Sequence, residues 1–188
     1  MKLGIFGGTF DPIHLGHLRA AETAREAVGL DQVAFVPAAR SPYKGEPVSP
    51  ALDRYAMVAL ATAGHDAFVA ADLELQREAP SYTVDTVRAL RQARPQDTLF
   101  LIVGGDSVAE LSGWRDSARI FAECTVLAVA RPGGPPPTQA AGEVTWVEGP
   151  ALPVSATDVR SRVREGQSIR FLVPDAVADY IAKRGLYR

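Results

Sequence analysis

Two histidines in a glycine-rich run near the N-terminus carry the clearest chemical potential in this chain of 188 residues. The run covers residues 7–17 and reads GGTFDPIHLGH, with His14 and His17 three positions apart. Glycines after a buried strand let the backbone approach a ligand, and a helix that follows presents free N–H groups to an anion. Imidazoles three apart on a first helical turn project from one side. The run therefore predicts a donor cluster for a phosphoryl group; the plainer alternative is a tight strand–helix turn whose histidines only cap the helix.

The same run argues against several other nucleotide sites. Neither the Walker pattern GxxxxGK[ST] nor the dinucleotide pattern GxGxxG occurs in the chain, which counts against a P-loop NTPase and against a dehydrogenase. The two histidines could begin a metal site, but no third ligand stands out beside them. We therefore assign no protein ligands to a metal ion.

A second polar group lies near the C-terminus, where residues 154–160 read VSATDVR. Ser155 can cap a helix, and Thr157 would then lie in its first turn. Arg160, about one turn further, can present a planar fork of donors to an anion. A Ser-x-Thr pair before a helix is by itself usually an ordinary cap.

Hydrophobic patterning predicts the elements that position these groups. Apolar runs indicate buried strands at residues 2–6, Gln32–Pro37, Thr98–Gly104 and 125–130, with a weaker one at 143–147. Helical periodicity indicates helices at residues 18–28, 51–63, 84–90, 156–165 and 174–183. Strands that alternate with helices predict a single doubly wound α/β domain over residues 1–188, with a parallel sheet and with ligands beyond the carboxyl ends of its strands.

Composition narrows the partners. The net charge is −2, from 22 acidic and 20 basic residues, so we expect no binding to nucleic acid and none to an acidic membrane, while a local basic pocket stays open. No apolar run approaches the roughly 18 residues of a membrane span, and no signal peptide precedes the first strand. The single cysteine, Cys124, reads as a small buried hydrophobe. We expect a soluble, cytoplasmic protein.

The run at residues 7–17 resembles the HxGH signature of the nucleotidylyltransferase superfamily, shared with class I aminoacyl-tRNA synthetases. In its longer form it resembles bacterial nicotinate-nucleotide adenylyltransferases. Residues 155–160 are similar to the superfamily's SSTxxR motif, with Ala156 for the second serine, and their place after the first motif favours phosphate binding over a cap alone. Pro42-Tyr43-Lys44 is similar to the family's Pro-His-Lys, with tyrosine for histidine, and implies a phosphate contact for Lys44.

The resemblance continues along the chain. Residues 81–86 are similar to the family's SYTxDT segment, which implies a helix start that receives a carboxylate. Residues 102–114 are similar to IxGxD followed by LxxW, which implies that Asp106 binds a ribose hydroxyl and Trp114 stacks on a flat ring, with plain core packing an equal alternative for Trp114. Arg131 matches the family's Arg-Pro-Gly and implies another phosphate contact.

The resemblance implies a Rossmann-like nucleotidylyltransferase fold and an enzyme of NAD biosynthesis. The reaction would be adenylyl transfer from ATP to nicotinic acid mononucleotide, with ATP bringing Mg²⁺. The catalytic residues implied are His14, His17, Lys44 and Arg160. The substrate-binding residues implied are Gly7, Gly8, Thr9, Phe10, Ser81, Tyr82, Thr83, Gly104, Asp106, Trp114, Arg131, Ser155 and Thr157.

Two alternatives stay open at this point. Another acceptor such as phosphopantetheine is the nearer one, although residues 81–83 and Trp114 favour a flat acidic ring. A non-catalytic nucleotide sensor is the other, and the presence of His14, His17 and Arg160 counts against it. A class I synthetase would need a tRNA-binding domain, for which the chain has no room. The sequence leaves homo-oligomer formation open.

Overall fold

A computed structural model of the chain describes residues 1–43, 45–130, 142–150 and 152–188. Its six strands are β1 (Lys2–Gly8), β2 (Gln32–Pro37), β3 (Phe68–Ala70), β4 (Thr98–Gly104), β5 (Thr125–Val129) and β6 (Val144–Val147). They form one sheet in the order β3-β2-β1-β4-β5-β6. The strand order reverses direction between β1 and β4, so the predicted doubly wound α/β fold is confirmed.

Parallel pairing joins β1 to β4, β4 to β5 and β5 to β6. Ile5 lies beside Leu101, and Leu101 in turn lies beside Val126. All three side chains are buried, as expected for strands with apolar residues on both faces of a covered parallel sheet.

The helices are α1 (Leu15–Val28), α2 (Ala51–Thr62), α3 (Thr83–Ala93), α4 (Ser117–Glu123), α5 (Ala156–Arg164) and α6 (Asp175–Arg184), with a 3₁₀ helix at Gly105–Gly113. The five predicted helices are confirmed, and Gly29 ends α1 with a left-handed φ of 65°. Pro174 is the residue before α6 and not part of its first turn. The predictions missed β3 and α4, because elements this short carry no clear periodic signal. They also missed the 3₁₀ helix, whose period differs from the 3.6 residues per turn of an α-helix.

The described part of the chain divides into two compact units. The first unit comprises Met1–Gly7, Ala20–Ala34 and Tyr82–Ala151. Its core contains the fully buried β5 residues Val126, Leu127 and Ala128, and α3 packs against α4. No helix in the described ranges is long and apolar enough to cross a membrane. The assignment of residues 1–188 to one domain stays a prediction.

The second unit comprises Gly8–Arg19, Phe35–Ser81 and Leu152–Arg188. Helix α2 packs against both α6 and β3. The buried Asp53 carboxylate accepts hydrogen bonds from the Tyr180 hydroxyl at 2.7 Å and from the Arg184 guanidinium at 3.0 Å. The Tyr180 hydrogen bond, with help from Arg184, holds the pKa of Asp53 below its ordinary value despite burial.

Candidate active site

His14 and His17 form a stacked pair at the start of α1. Their ring centroids are 3.6 Å apart and the rings are 21° from parallel. The His14 backbone N–H donates to Nδ1 of His17, and the His17 backbone N–H donates to Nδ1 of His14, each at 3.3 Å. The His14 carbonyl also accepts from the backbone N–H groups of His17 and Leu18 at 2.9 and 3.3 Å. The two histidines therefore cap the helix reciprocally, in the manner of a capping box.

This cap fixes the tautomer of both rings. A nitrogen that accepts an N–H hydrogen bond carries no proton, so a neutral imidazole with Nδ1 as acceptor holds its proton on Nε2. Each ring thus carries its N–H at Nε2, and an N–H of this kind can donate to a phosphoryl oxygen. The plainer alternative, that these histidines cap a helix, is correct. The same hydrogen bonds also fix the orientation of the two rings and of their Nε2–H groups.

Glycines make room for the histidine pair. A Cβ atom on Gly16 would lie 3.0 Å from Nδ1 of His14, and one on Gly8 would lie 3.0 Å from the ring of Phe10. The Phe10 ring is buried and meets His17 edge-on, with centroids 5.0 Å apart and an interplanar angle of 80°. Phe10, predicted to bind substrate, thus supports the His17 ring from behind. By contrast, no atom lies within 4 Å of a Cβ built on Gly7.

Thr9 lies between Gly8 and Phe10. Its Oγ1 atom is buried and has no hydrogen-bond partner among the described residues. Its carbonyl accepts from the Arg54 guanidinium at 2.7 Å. Buried hydroxyls are almost always paired in folded proteins, so this one is suited to a group that the free protein lacks.

Within the second unit, helix α5 brings the second motif (residues 155–160) next to Asp11 of the first motif. Arg160 donates to the backbone carbonyl of Asp11 at 2.7 Å and to the Thr157 hydroxyl at 3.2 Å. Ser155 is the N-cap, as predicted, and its hydroxyl accepts from the Asp158 N–H at 3.1 Å while donating to the Asp158 carboxylate at 2.7 Å. Three of the predicted phosphate-binding residues thus lie around one helix start.

Among the described residues, Arg54 is the largest fully buried side chain. Its guanidinium donates to the carbonyls of Thr9 at 2.7 Å, Ala39 at 2.9 Å and Ser49 at 3.2 Å. Burial lowers the pKa of Arg54, and the nearby carboxylate of Asp11 opposes that shift. Arg54 therefore holds the backbone of the first motif at Thr9.

The residues predicted to contact a pyridine ring belong to the first unit. Tyr82 is the N-cap residue of α3 and Thr83 is the helix's first residue. The Arg115 guanidinium lies over the Tyr82 ring, 4.6 Å from its centroid, and 3.9 Å from the Asp85 carboxylate. Arg88 forms ion pairs with Asp85 at 3.0 Å and with Asp116 at 3.8 Å.

Two other predicted residues of this unit follow β4. Asp106 lies in the first turn of the 3₁₀ helix and is exposed to solvent. Trp114 is the C-cap residue of that helix, and its backbone N–H donates to the Leu111 carbonyl at 3.2 Å. The Trp114 side chain is half-buried. Gly104 ends β4, and no atom lies within 4 Å of a Cβ built there. Because Trp114 is half-buried, part of its side chain is exposed, where a flat ring can stack. The other part packs against the protein, as the alternative interpretation expects.

The remaining predicted residues fall outside these two groups. Ser81 accepts from the Ala39 N–H at 3.0 Å and donates its own N–H to the Arg40 carbonyl at 2.8 Å, so it joins two loops of the second unit. Lys44 and Arg131 lie outside the described residues.

The sequence analysis assigned no role to Arg115 or to Asp11, although both contact predicted site residues. Arg115 adjoins the predicted Trp114, but a lone arginine on a loop carries no signal of the ring it covers. Asp11 stands in the first motif itself, and only tertiary contacts disclose what its carboxylate holds. In the described ranges, no three His, Cys, Asp or Glu side chains lie close enough together to bind a metal ion.

A family model identifies the class to which this fold and this histidine cluster belong. The model described as cytidylyltransferase-like matches residues 5–162 of the chain. The match includes both motifs, at residues 7–17 and 155–160.

Individual relatives narrow the class. The chain is 49% identical over 188 residues to a probable nicotinate-nucleotide adenylyltransferase of Thermus thermophilus, with all of both chains covered. It is 43% identical to a protein of the same description from Leifsonia xyli, covering 100% of this chain and 94% of that one. The chain therefore belongs to the cytidylyltransferase-like family, and within it to the nicotinate-nucleotide adenylyltransferases.

A solved structure supports the fold independently. The nicotinic acid mononucleotide adenylyltransferase of Plasmodium falciparum, complexed with NaAD, matches with a TM-score of 0.81 over 99% of this chain and 97% of that one. The sequences are 18% identical, so this likeness concerns the fold alone.

Proposed function

We propose that this protein transfers the adenylyl group of ATP to nicotinic acid mononucleotide, giving nicotinic acid adenine dinucleotide and pyrophosphate. The observation that carries the proposal is the reciprocal histidine pair at the start of α1, with Arg160 of α5 bonded to the same motif. The names of the relatives support the same reaction. We place the enzyme in NAD biosynthesis and in the cytoplasm.

The chemistry is one displacement at phosphorus. An oxygen of the mononucleotide 5′-phosphate forms a bond to the α-phosphorus of ATP, and the bond from that phosphorus to the bridging oxygen of pyrophosphate breaks. No covalent enzyme intermediate is required. The rate then comes from alignment of the two substrates and from positive charge and donors around the α-phosphate.

His14 and His17 would donate their Nε2 protons as hydrogen bonds to the transferred and bridging oxygens, where negative charge develops. Arg160, Lys44 and Arg131 would hold the flanking phosphates, with Ser155 and Thr157 at the start of α5. The helix dipoles of α1 and α5 add to this field. The Thr9 hydroxyl, which has no partner among the described residues, and the open space at Gly7 suit a phosphate beside the end of β1.

The mononucleotide would meet the other group of residues. Its pyridine ring would stack on Trp114, and its carboxylate would accept from backbone N–H groups at Tyr82 and Thr83. Asp106 and Gly104 would bind a ribose, and Ser81 would hold the loop that leads to Tyr82.

The divalent ion of this reaction would be Mg²⁺ carried by ATP. Mg²⁺ favours phosphate oxygens and keeps several waters, so it does not require a protein cage of carboxylates. When bound, it would neutralise the β and γ oxygens and so ease departure of pyrophosphate.

A pyrophosphate-release assay tests the proposal. Purified protein is mixed with ATP and Mg²⁺ and, in separate reactions, with nicotinic acid mononucleotide, nicotinamide mononucleotide or 4′-phosphopantetheine. We expect release with the first acceptor and formation of its dinucleotide. Turnover with phosphopantetheine alone would show that phosphopantetheine, and not the mononucleotide, is the acceptor. ATP binding without turnover of any acceptor would support a nucleotide sensor.

A further inference from the structure

Tyr187, the residue before the C-terminal Arg188, reaches the first motif. Its side chain is buried, and its hydroxyl donates to Oδ1 of Asp11 at 2.7 Å. The same hydroxyl lies 3.0 Å from Oγ of Ser49. Burial raises the pKa of Tyr187 above its ordinary value, so the hydroxyl keeps its proton and acts as a donor.

Asp11 collects several donors on one carboxylate. Oδ2 accepts from the backbone N–H of Val48 at 2.6 Å, and Oδ1 accepts from the Ser49 hydroxyl as well as from Tyr187. The backbone carbonyl of Asp11 accepts from Arg160. One residue, three positions before His14, therefore connects the C-terminal segment to the arginine of the second motif.

The backbone on both sides of this contact is in an unfavourable conformation. Phe10, adjacent to Asp11, has a φ of 48°, and Tyr187 has a φ of 65°. Side-chain-bearing residues rarely adopt these left-handed values, and they persist only where surrounding contacts impose them. The hydrogen bonds of Asp11 are contacts of this kind.

The C-terminal segment makes a second contact with the first motif. The backbone N–H of Leu15, the first residue of α1, donates to the carbonyl of Leu172 at 2.9 Å. The segment thus holds the motif on both sides of His14, at Asp11 and at Leu15.

We propose that Tyr187 is a positioning residue for adenylyl transfer: its hydroxyl fixes the Asp11 carboxylate, and through Asp11 it sets the placement of Arg160 and of the histidine pair. This inference rests on the proposed function. Tyr187 touches no reacting atom in this scheme. Its effect comes through the geometry of residues that do, where a displacement of about 1 Å can cost about 10²-fold in rate.

The chain contains a matched control. Tyr180 donates to Oδ1 of Asp53 at 2.7 Å, the same length as the Tyr187–Asp11 hydrogen bond, and it also joins the C-terminal segment to the rest of the second unit. Asp53 lies on α2 and contacts neither motif through the hydrogen bonds described. Tyr180→Phe and Tyr187→Phe therefore each remove one tyrosine–aspartate hydrogen bond, the first part-buried and the second buried, from different places.

Both variants are compared with wild type in the pyrophosphate-release assay and by thermal unfolding. We expect each to lower Tm by a similar amount, about 2 to 4 °C for one hydrogen bond in a chain of this size. Tyr187→Phe should lower kcat by about 10- to 100-fold, and Tyr180→Phe by less than about twofold. The KM for the mononucleotide should stay within about twofold in both, because neither tyrosine belongs to the proposed pyridine-binding group.

Ser49→Ala is a second route to the same carboxylate and should lower kcat in the same direction as Tyr187→Phe. Equal kcat values for the Tyr187→Phe and Tyr180→Phe variants of an active enzyme would overturn the positioning role. A wild-type protein that releases no pyrophosphate with any acceptor would overturn the proposed function itself.

Discussion

At the residue scale, His14 and His17 combine two roles in one geometry. Their Nδ1 atoms accept hydrogen bonds from the backbone N–H groups of His17 and His14 at the start of α1. A helix cap contributes about 1 kcal/mol to stability. One preorganised donor at a developing charge contributes about 3 to 4 kcal/mol to transition-state binding. A substitution here therefore changes both terms, and a test must separate them.

Substitution of His17 separates the two roles. His17→Ala removes both the cap and the Nε2 donor, whereas glutamine at this position can restore the cap, as it does in a capping box. We expect kcat to fall by about 10² to 10³ in both variants, with Tm recovered in His17→Gln. The measurements are steady-state kinetics and thermal unfolding followed by circular dichroism. Recovery of kcat together with Tm in His17→Gln would reduce the histidine to a cap.

Arg115 brings a positive charge to the helix start that is proposed to read the substrate carboxylate. Its side chain is 59% exposed, so solvent screens the charge and its contribution should be at most about 1 kcal/mol, or about fivefold. We expect Arg115→Gln to lower the preference for the acid over the amide mononucleotide by about two- to fivefold in kcat/KM. A loss of the whole preference would show that Arg115, and not the backbone of Tyr82 and Thr83, recognises the carboxylate.

At the element scale, α6 is held on α2 by the carboxylate of Asp53. The Tyr180 hydroxyl and the Arg184 guanidinium both favour its ionised form. A carboxylate whose pKa is lower in the folded than in the unfolded state stabilises the fold above the unfolded pKa, and that contribution is lost as pH falls through the folded pKa.

Unfolding by urea between pH 7 and pH 3 tests whether the ionised Asp53 carboxylate stabilises the fold. Above the ordinary aspartate pKa of about 3.9, wild type should exceed Asp53→Asn in free energy of unfolding by a constant amount. Below that pH the difference should shrink, since the wild-type carboxylate takes up a proton. Asp179→Asn, at an exposed position of α6, controls for the loss of one negative charge. A difference that grows as the pH falls would contradict the assignment.

At the scale of the whole molecule, we expect substrate choice to depend on the backbone N–H groups of Tyr82 and Thr83 at the start of α3. Backbone N–H donors favour a carboxylate, while an amide must direct its own N–H groups toward them. We expect kcat/KM for nicotinic acid mononucleotide to exceed that for nicotinamide mononucleotide by at least about 10²-fold. Trp114→Ala should weaken both substrates together, because stacking does not distinguish the carboxylate. Comparable values for acid and amide would remove this substrate assignment and leave adenylyl transfer standing.

Cys124 reports on the integrity of the first unit. Burial raises the pKa of this thiol to about 12, and the side chain is 7% exposed. The thiolate is the reactive form, so native protein at pH 8 should resist Ellman's reagent over hours and react fully in denaturant. Because the chain has a single cysteine, the absorbance change needs no correction. Complete reaction of the native protein within minutes would contradict the buried assignment.

The sequence alone predicted five of the six described strands, the five longer helices, and the two motifs at residues 7–17 and 155–160. Those features are local: a buried strand needs a short apolar run, a helix needs a periodic face, and Gly7 to His17 are contiguous in the chain. Three-residue β3 and seven-residue α4 escaped, because a pattern that short cannot be told from chance.

Only the tertiary structure decided how distant residues support the motifs. Tyr187 meets Asp11 across 176 positions, and Arg160 meets the same residue across 149. No periodicity or spacing encodes such a pairing, since it depends on where the packed helices bring each side chain. The reciprocal cap of His14 and His17 is likewise a matter of ring orientation, which the backbone N–H groups at the start of α1 fix only once the helix has formed.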